Sequence, residues 1–118
     1  MPVRSLRSRV LKWPDARAVD AAVRGWATEI AQQHPNVVRI GYFGSYARGN
    51  WGVGSDVDLV AIVSESEQPF ERRAAGWDTT TLPVSADLLV YTSAEWSARL
   101  EQPGGQRIAG ETVWVYPS

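Results

Sequence analysis

Cysteine is absent from the sequence, which excludes disulfides and thiolate metal sites. Histidine occurs once, at His34, so no multi-histidine zinc site can form within one chain. Lysine also occurs once, at Lys12, and every other basic residue is arginine, a compositional bias from which no function follows. No apolar run approaches the roughly 18 residues needed to cross a bilayer. The opening stretch MPVRSLRSRVLKW is basic but lacks the continuous apolar segment of a secretory signal. The expectation is a soluble, cytoplasmic protein. Charge of one sign is also missing: the net charge is −1, so no global field recruits nucleic acid. There are no internal repeats and no low-complexity segments.

What is present suits one folded domain. The 118 residues are 44% hydrophobic and 10% aromatic, enough to bury a core. Residues 1–14, with Arg4, Arg7, Arg9 and Lys12, read as a basic N-terminal arm, either a surface arm or one that contacts a partner or nucleic acid. Residues 15–118 read as a single domain. Asp15 is placed to cap a helix whose apolar face is Val19, Ala22, Val23, Trp26 and Ile30, ending near Gln33 ahead of His34-Pro35. Trp26 is expected in the core and His34 at the helix end. Strands are expected over 37–43, 57–63, 84–91 and 112–116, with Arg39 facing solvent or an acidic neighbour. Residues 69–76 suit a short helix opened by Pro69, and Arg72 and Arg73 on it form a solvated face or reach phosphate oxygens. Asp78 before threonines suits a turn. Residues 92–101 read as a helix with a Thr92/Glu95 capping box, ended by Pro103-Gly104-Gly105, with a further turn at Ala109-Gly110. This order of elements predicts an α/β (α+β) fold, a mixed sheet of about four strands with helices packed against it.

The stretch 41–63, GYFGSYARGNWGVGSDVDLVAIV, carries the chemistry. An apolar strand breaks at Gly44-Ser45, where one helical turn would leave backbone N–H groups facing an anion. Gly49, Gly52 and Gly54 let the following loop approach a ligand closely. Trp51 reads better as loop packing than as a base contact. The loop matches neither the P-loop, since no Gly-Lys-Ser/Thr follows, nor the dinucleotide fingerprint. The chain then resumes as an apolar strand bearing Asp56 and Asp58. Side chains two residues apart on a strand share a face, with Cα atoms about 6.5 Å apart, so both carboxylates can converge on shared cations. An aspartate inside an apolar strand is costly unless it is paired or binds metal. Asp87, inside the third apolar strand, raises the same demand, and pairing beside Asp56 and Asp58 would meet it. An anion site beside paired carboxylates is what a nucleoside triphosphate with Mg²⁺ requires.

Gly44-Ser45, ten residues, then Asp56-Val57-Asp58 resembles the motif of the nucleotidyltransferase superfamily, the DNA polymerase beta-like fold. The fuller string GSYARG…GSDVDL is most similar to the minimal nucleotidyltransferases, small prokaryotic proteins often paired with HEPN-domain partners. The resemblance covers nearly the whole chain. It implies a metal-dependent transfer of a nucleoside monophosphate, AMP from ATP, to a hydroxyl. Asp56, Asp58 and Asp87 would hold two Mg²⁺ ions (Mn²⁺ could substitute), with Asp58 bridging and Asp87 also orienting or deprotonating the acceptor. Gly44 and Ser45 would hold the terminal phosphates, Arg48 would neutralise phosphate, and Ser55 would either orient Asp56 or serve the loop. Without metal, three clustered carboxylates repel, so at least one should titrate high.

The resemblance further implies a two-component system in which the acceptor is a partner protein such as a HEPN toxin, since no acceptor-gripping domain is apparent. The alternatives are an antitoxin that binds nucleotide and neutralises its partner by contact alone, and a small-molecule nucleotidyltransferase of the antibiotic-modifying type. Nucleic-acid binding through the basic arm is the weakest reading.

Overall fold

The computed structural model describes residues 13–117. The basic arm therefore lies outside the described residues except for Trp13 and Pro14. Helix α1 spans Ala16–Gln33; Asp15 caps it, its carboxylate accepting from the Ala18 N–H at 2.9 Å. Val19, Val23, Trp26, Ala27 and Ile30 are its buried residues, the helical spacing read from the sequence. The Trp26 indole N–H donates to the Asp78 carbonyl at 2.7 Å, so its polar atom is satisfied within the core. His34 follows the helix and stacks on Trp77.

Four strands form one mixed sheet: β1 (Val37–Phe43), β2 (Val57–Val63), β3 (Ala86–Thr92) and β4 (Val113–Tyr116), in the spatial order β3-β2-β1-β4. β2 is parallel to β3, and β1 is antiparallel to both β2 and β4. A one-turn helix α2 (Ser45–Arg48) follows β1; α3 (Phe70–Arg73) and a 3₁₀ turn (Ala74–Gly76) precede β3; α4 (Ser93–Leu100) and α5 (Gly105–Glu111) precede β4.

The period-two alternation of the strands sorts their side chains between two layers. Val57, Leu59, Ala61 and Val63 of β2 join Ile40, Tyr42, Val90 and Val115 in a core with α1. Val60 and Ile62 point the other way and pack with Trp96 of α4, with Phe43, Tyr91, Ile108 and Trp114 around them. Tyr42 crosses toward α1, and its hydroxyl donates to Asp20 at 2.7 Å.

Some expectations are corrected. β3 starts at Ala86 rather than at residue 84, which places Asp87 near its beginning. Residues 109–110 are not a turn but part of α5. Gly104 takes φ +86, and a Cβ on Gly105 would fall 1.8 Å from the Arg99 carbonyl oxygen. Helix α4 ends ahead of Pro103-Gly104-Gly105 as expected, and the two glycines permit a tight junction to the next helix. Arg39 is partly exposed, and its guanidinium lies not beside an acid but over the Trp114 ring, 3.7 Å from its centroid. Arg73 does not reach toward the phosphate turn. Its side chain is only 8% exposed and is ion-paired with Glu95, the residue that completes the Thr92 capping box of α4.

Candidate active site

The acidic residues assemble where β2 and β3 begin and β1 ends. In the parallel pair, Asp58 is the register partner of Asp87. Register partners on neighbouring strands share a face, with Cα atoms about 4.8 Å apart. That face is the α4/α5 side, since Asp58 alternates with Leu59 and Asp87 alternates with Leu88, both packed toward α1. Asp56 lies two residues before Asp58, in the loop just ahead of β2 rather than in the strand, and is exposed. Asp58 is half-buried and Asp87 exposed.

Asp58 feels this grouping. Its pKa is raised, first by burial, then by the charges of Asp87 and Asp56; Arg48 pulls it down and Glu111 adds to the rise. Among the described residues no N–H or O–H donates to any of the three aspartates. A half-buried carboxylate facing like charges without a donor matches a group meant for a cation. The donor set is hard oxygen, which suits Mg²⁺. Among the described residues no three His, Cys, Asp or Glu side chains are gathered as a complete ligand set. Magnesium does not demand one: it is commonly held by one or two carboxylates with substrate phosphates and water filling the rest. Asp58 with Asp87 or Asp56 meets that smaller requirement.

Opposite the acids, β1 ends at Phe43, the register partner of Asp58. Gly44 then adopts φ +78, ψ −149, and α2 begins. A Cβ on Gly44 would lie 2.1 Å from Asp58 Oδ2. The turn and the central acid are therefore in direct contact. The N–H groups of Ser45 and Tyr46, in the first turn of α2, have no intrahelical acceptor. Tyr46 is buried, stacks on Trp51 with centroids 5.5 Å apart, and accepts a hydrogen bond on its hydroxyl from the Trp13 indole at 3.0 Å. Trp51 thus packs within the loop, against Tyr46. Ser55 also serves the loop: its hydroxyl accepts from the Gly52 N–H at 2.8 Å.

One residue of this site escaped the sequence reading. The Gly44 N–H, expected to face phosphate, donates to Glu111 Oε2 at 2.9 Å, and the same oxygen accepts from Arg48 Nη1 at 3.0 Å. Glu111 stands 67 residues from Gly44, and no local pattern marks it. Arg48, one helical turn after the glycine, is where the motif put it, though its side chain is 45% exposed and shared with Glu111.

A model of the nucleotidyltransferase domain matches residues 23–108. The chain belongs to the nucleotidyltransferase domain family. The match runs from within α1 to within α5 and includes the turn and all three aspartates. The nucleotidyltransferase fold is also seen in a crystal structure of a Sulfolobus solfataricus protein provisionally assigned as a nucleotidyltransferase. It superposes with a TM-score of 0.62 at 20% identity, over 84% of this chain and 80% of that one. A toxin–antitoxin assembly crystallised with AMP-PNP is more distant, with a TM-score of 0.49 at 16% identity, over 80% and 73% of the two chains. No functionally curated protein matches the sequence. Among the described residues, no helix is long and apolar enough to cross a membrane.

Proposed function

We propose that the protein transfers a nucleoside monophosphate, AMP from ATP, to a hydroxyl of a partner protein. The observation that carries this reading is the side-by-side placement of Asp58 and Asp87 on one face of the sheet, against the Gly44-Ser45 turn. Family membership supports the reaction class. The partner, a HEPN-type protein, rests on the resemblance of the GSYARG…GSDVDL string alone.

Asp56 and Asp58 are the residues that would hold divalent cation, with Asp87 completing the site. Bound Mg²⁺ would stabilise charge on the attacking and leaving oxygens of an in-line displacement. The chain's own part is positional. The Ser45 hydroxyl and the free N–H groups of the turn bind the terminal phosphates, and Arg48 offers the guanidinium donors that Glu111 leaves open. Gly44, lacking a Cβ, lets the phosphates and the Asp58 carboxylate share a small volume. Asp87, at the open edge of the pair, orients the acceptor hydroxyl and takes its proton as that oxygen attacks the α-phosphorus. The bond to the bridging oxygen breaks and pyrophosphate leaves.

The test is incubation with α-labelled ATP, Mg²⁺ and the product of the neighbouring gene. Label is expected on the partner and is lost with Asp58→Ala. Partner binding that survives Asp58→Ala, with no label under any nucleoside triphosphate, would instead establish an antitoxin acting by contact.

A further inference from the structure

We propose that Glu111 is a positioning residue of this site, whose carboxylate fixes the Gly44 turn and aims Arg48. The inference rests on the reading of that turn as the phosphate-holding element.

Glu111 ends α5, with Thr112 between it and β4, and its side chain is only 17% exposed. One of its oxygens accepts from two donors, the Gly44 N–H and Arg48 Nη1. The location is electrostatically adverse: Glu111 adds to the negative charge that raises the Asp58 pKa. A fourth carboxylate beside three aspartates is sustained by its two hydrogen bonds, one of them charge-assisted on both sides.

Those bonds have geometric consequences. Bonding the Gly44 N–H fixes the plane of the Phe43–Gly44 peptide, in a glycine whose φ of +78 few other residues tolerate. The direction of the Ser45 N–H that follows is set by the same turn. Arg48 has five N–H donors, and Glu111 engages one. The guanidinium is thereby held in orientation with most of its donors still available. A plug that competed with phosphate would have to occupy the fork of the arginine; a single contact at one nitrogen leaves it open.

Two substitutions separate reach from charge. Glu111→Gln keeps a carbonyl oxygen at the same reach and loses the charge. Glu111→Asp keeps the charge and withdraws it by one methylene. The experiment titrates the wild-type full chain and both variants with each of the four nucleoside triphosphates in the presence of Mg²⁺. Thermal unfolding and the chemical shift of the Gly44 amide are recorded alongside. Glu111→Gln is expected to bind within about threefold of wild type. Glu111→Asp should bind about 10-fold more weakly or worse, with the Gly44 amide shifted upfield and the melting temperature nearly unchanged. In transfer assays the loss should fall mainly on KM. Wild-type binding with Glu111→Asp equal or tighter would overturn the positioning role and mark Glu111 as a competitor of phosphate. Glu111→Gln binding more weakly than the charge-retaining Glu111→Asp would overturn it in favour of charge alone. No binding of any nucleoside triphosphate by wild type would overturn the phosphate reading of the turn and this inference with it, a result distinct from the other two.

Discussion

The Asp58 carboxylate rests against the α-carbon of Gly44, where a β-carbon would come within 2.1 Å of Oδ2. Glycine is required there twice, by that contact and by a φ of +78. Gly44→Ala should therefore cost about 2 kcal/mol of stability and displace the central acid as well. Denaturant unfolding checks the first effect. Transfer activity, expected to fall about 100-fold or more, checks the second.

Asp58 has a raised pKa, so the folded protein holds its proton more tightly than the unfolded chain. The sign follows from linkage. Between the ordinary carboxylate pKa and the raised folded value, the folded state binds more protons, and stability falls as pH rises through that window. Asp58→Asn should remove this penalty and raise the melting temperature at neutral pH, by about 2–4 °C, while abolishing transfer. Mg²⁺ should raise the melting temperature of wild type but not of the variant. Differential scanning calorimetry with and without the cation measures both.

Glu95 behaves in the opposite sense. Its hydrogen bonds from the Arg73 guanidinium, then that from the Thr92 N–H, lower its pKa to about 2. The stability it contributes is present above its unfolded pKa and is lost as pH falls toward about 2. Glu95→Gln, which keeps the capping box, should flatten acid unfolding between about pH 4.5 and 2. A pH series of urea midpoints reads the effect.

Tyr42 titrates high, pushed up to about 12 by burial and then by its hydrogen bond to Asp20. Its contribution is complete below the ordinary phenol pKa and disappears as pH rises through about 12. Tyr42→Phe should cost about 1 kcal/mol at neutral pH, measured by denaturant unfolding, and leave nucleotide binding intact.

Most elements were legible because their signals are local. Asp15 three residues ahead of the N–H from which it accepts, the apolar face of α1, and the Thr92/Glu95 box each specify an element within a few residues. Asp58 and Asp87 are marked by their cost inside apolar strands, and Asp56 by standing two residues before Asp58. Asp58 and Asp87 meet because β2 and β3 pair in parallel with the two residues opposite each other. What stayed hidden depends on tertiary context. The α5 helix contains Gly105 and Gly110, poor helix formers, and is held by packing of Ile108 and Ala109 beneath the sheet. Arg73 looked like a solvated charge because nothing local shows that Glu95, 22 residues on, would enclose it. Glu111 had no signal at all, since its partners are set by how β4 returns beside β1.

Mn²⁺ titration reads whether acids from separate segments meet around divalent cation beside the Gly44-Ser45 turn. The full chain, with a non-hydrolysable ATP analogue, is followed by amide NMR. Resonances of Ser45, Asp56, Asp58 and Asp87 are expected to broaden together at stoichiometric metal, and Asp58→Asn to abolish the effect. Broadening centred instead on the exposed acidic loop at Glu65 and Glu67, or absent from Asp87 while Asp58 responds, would contradict that meeting.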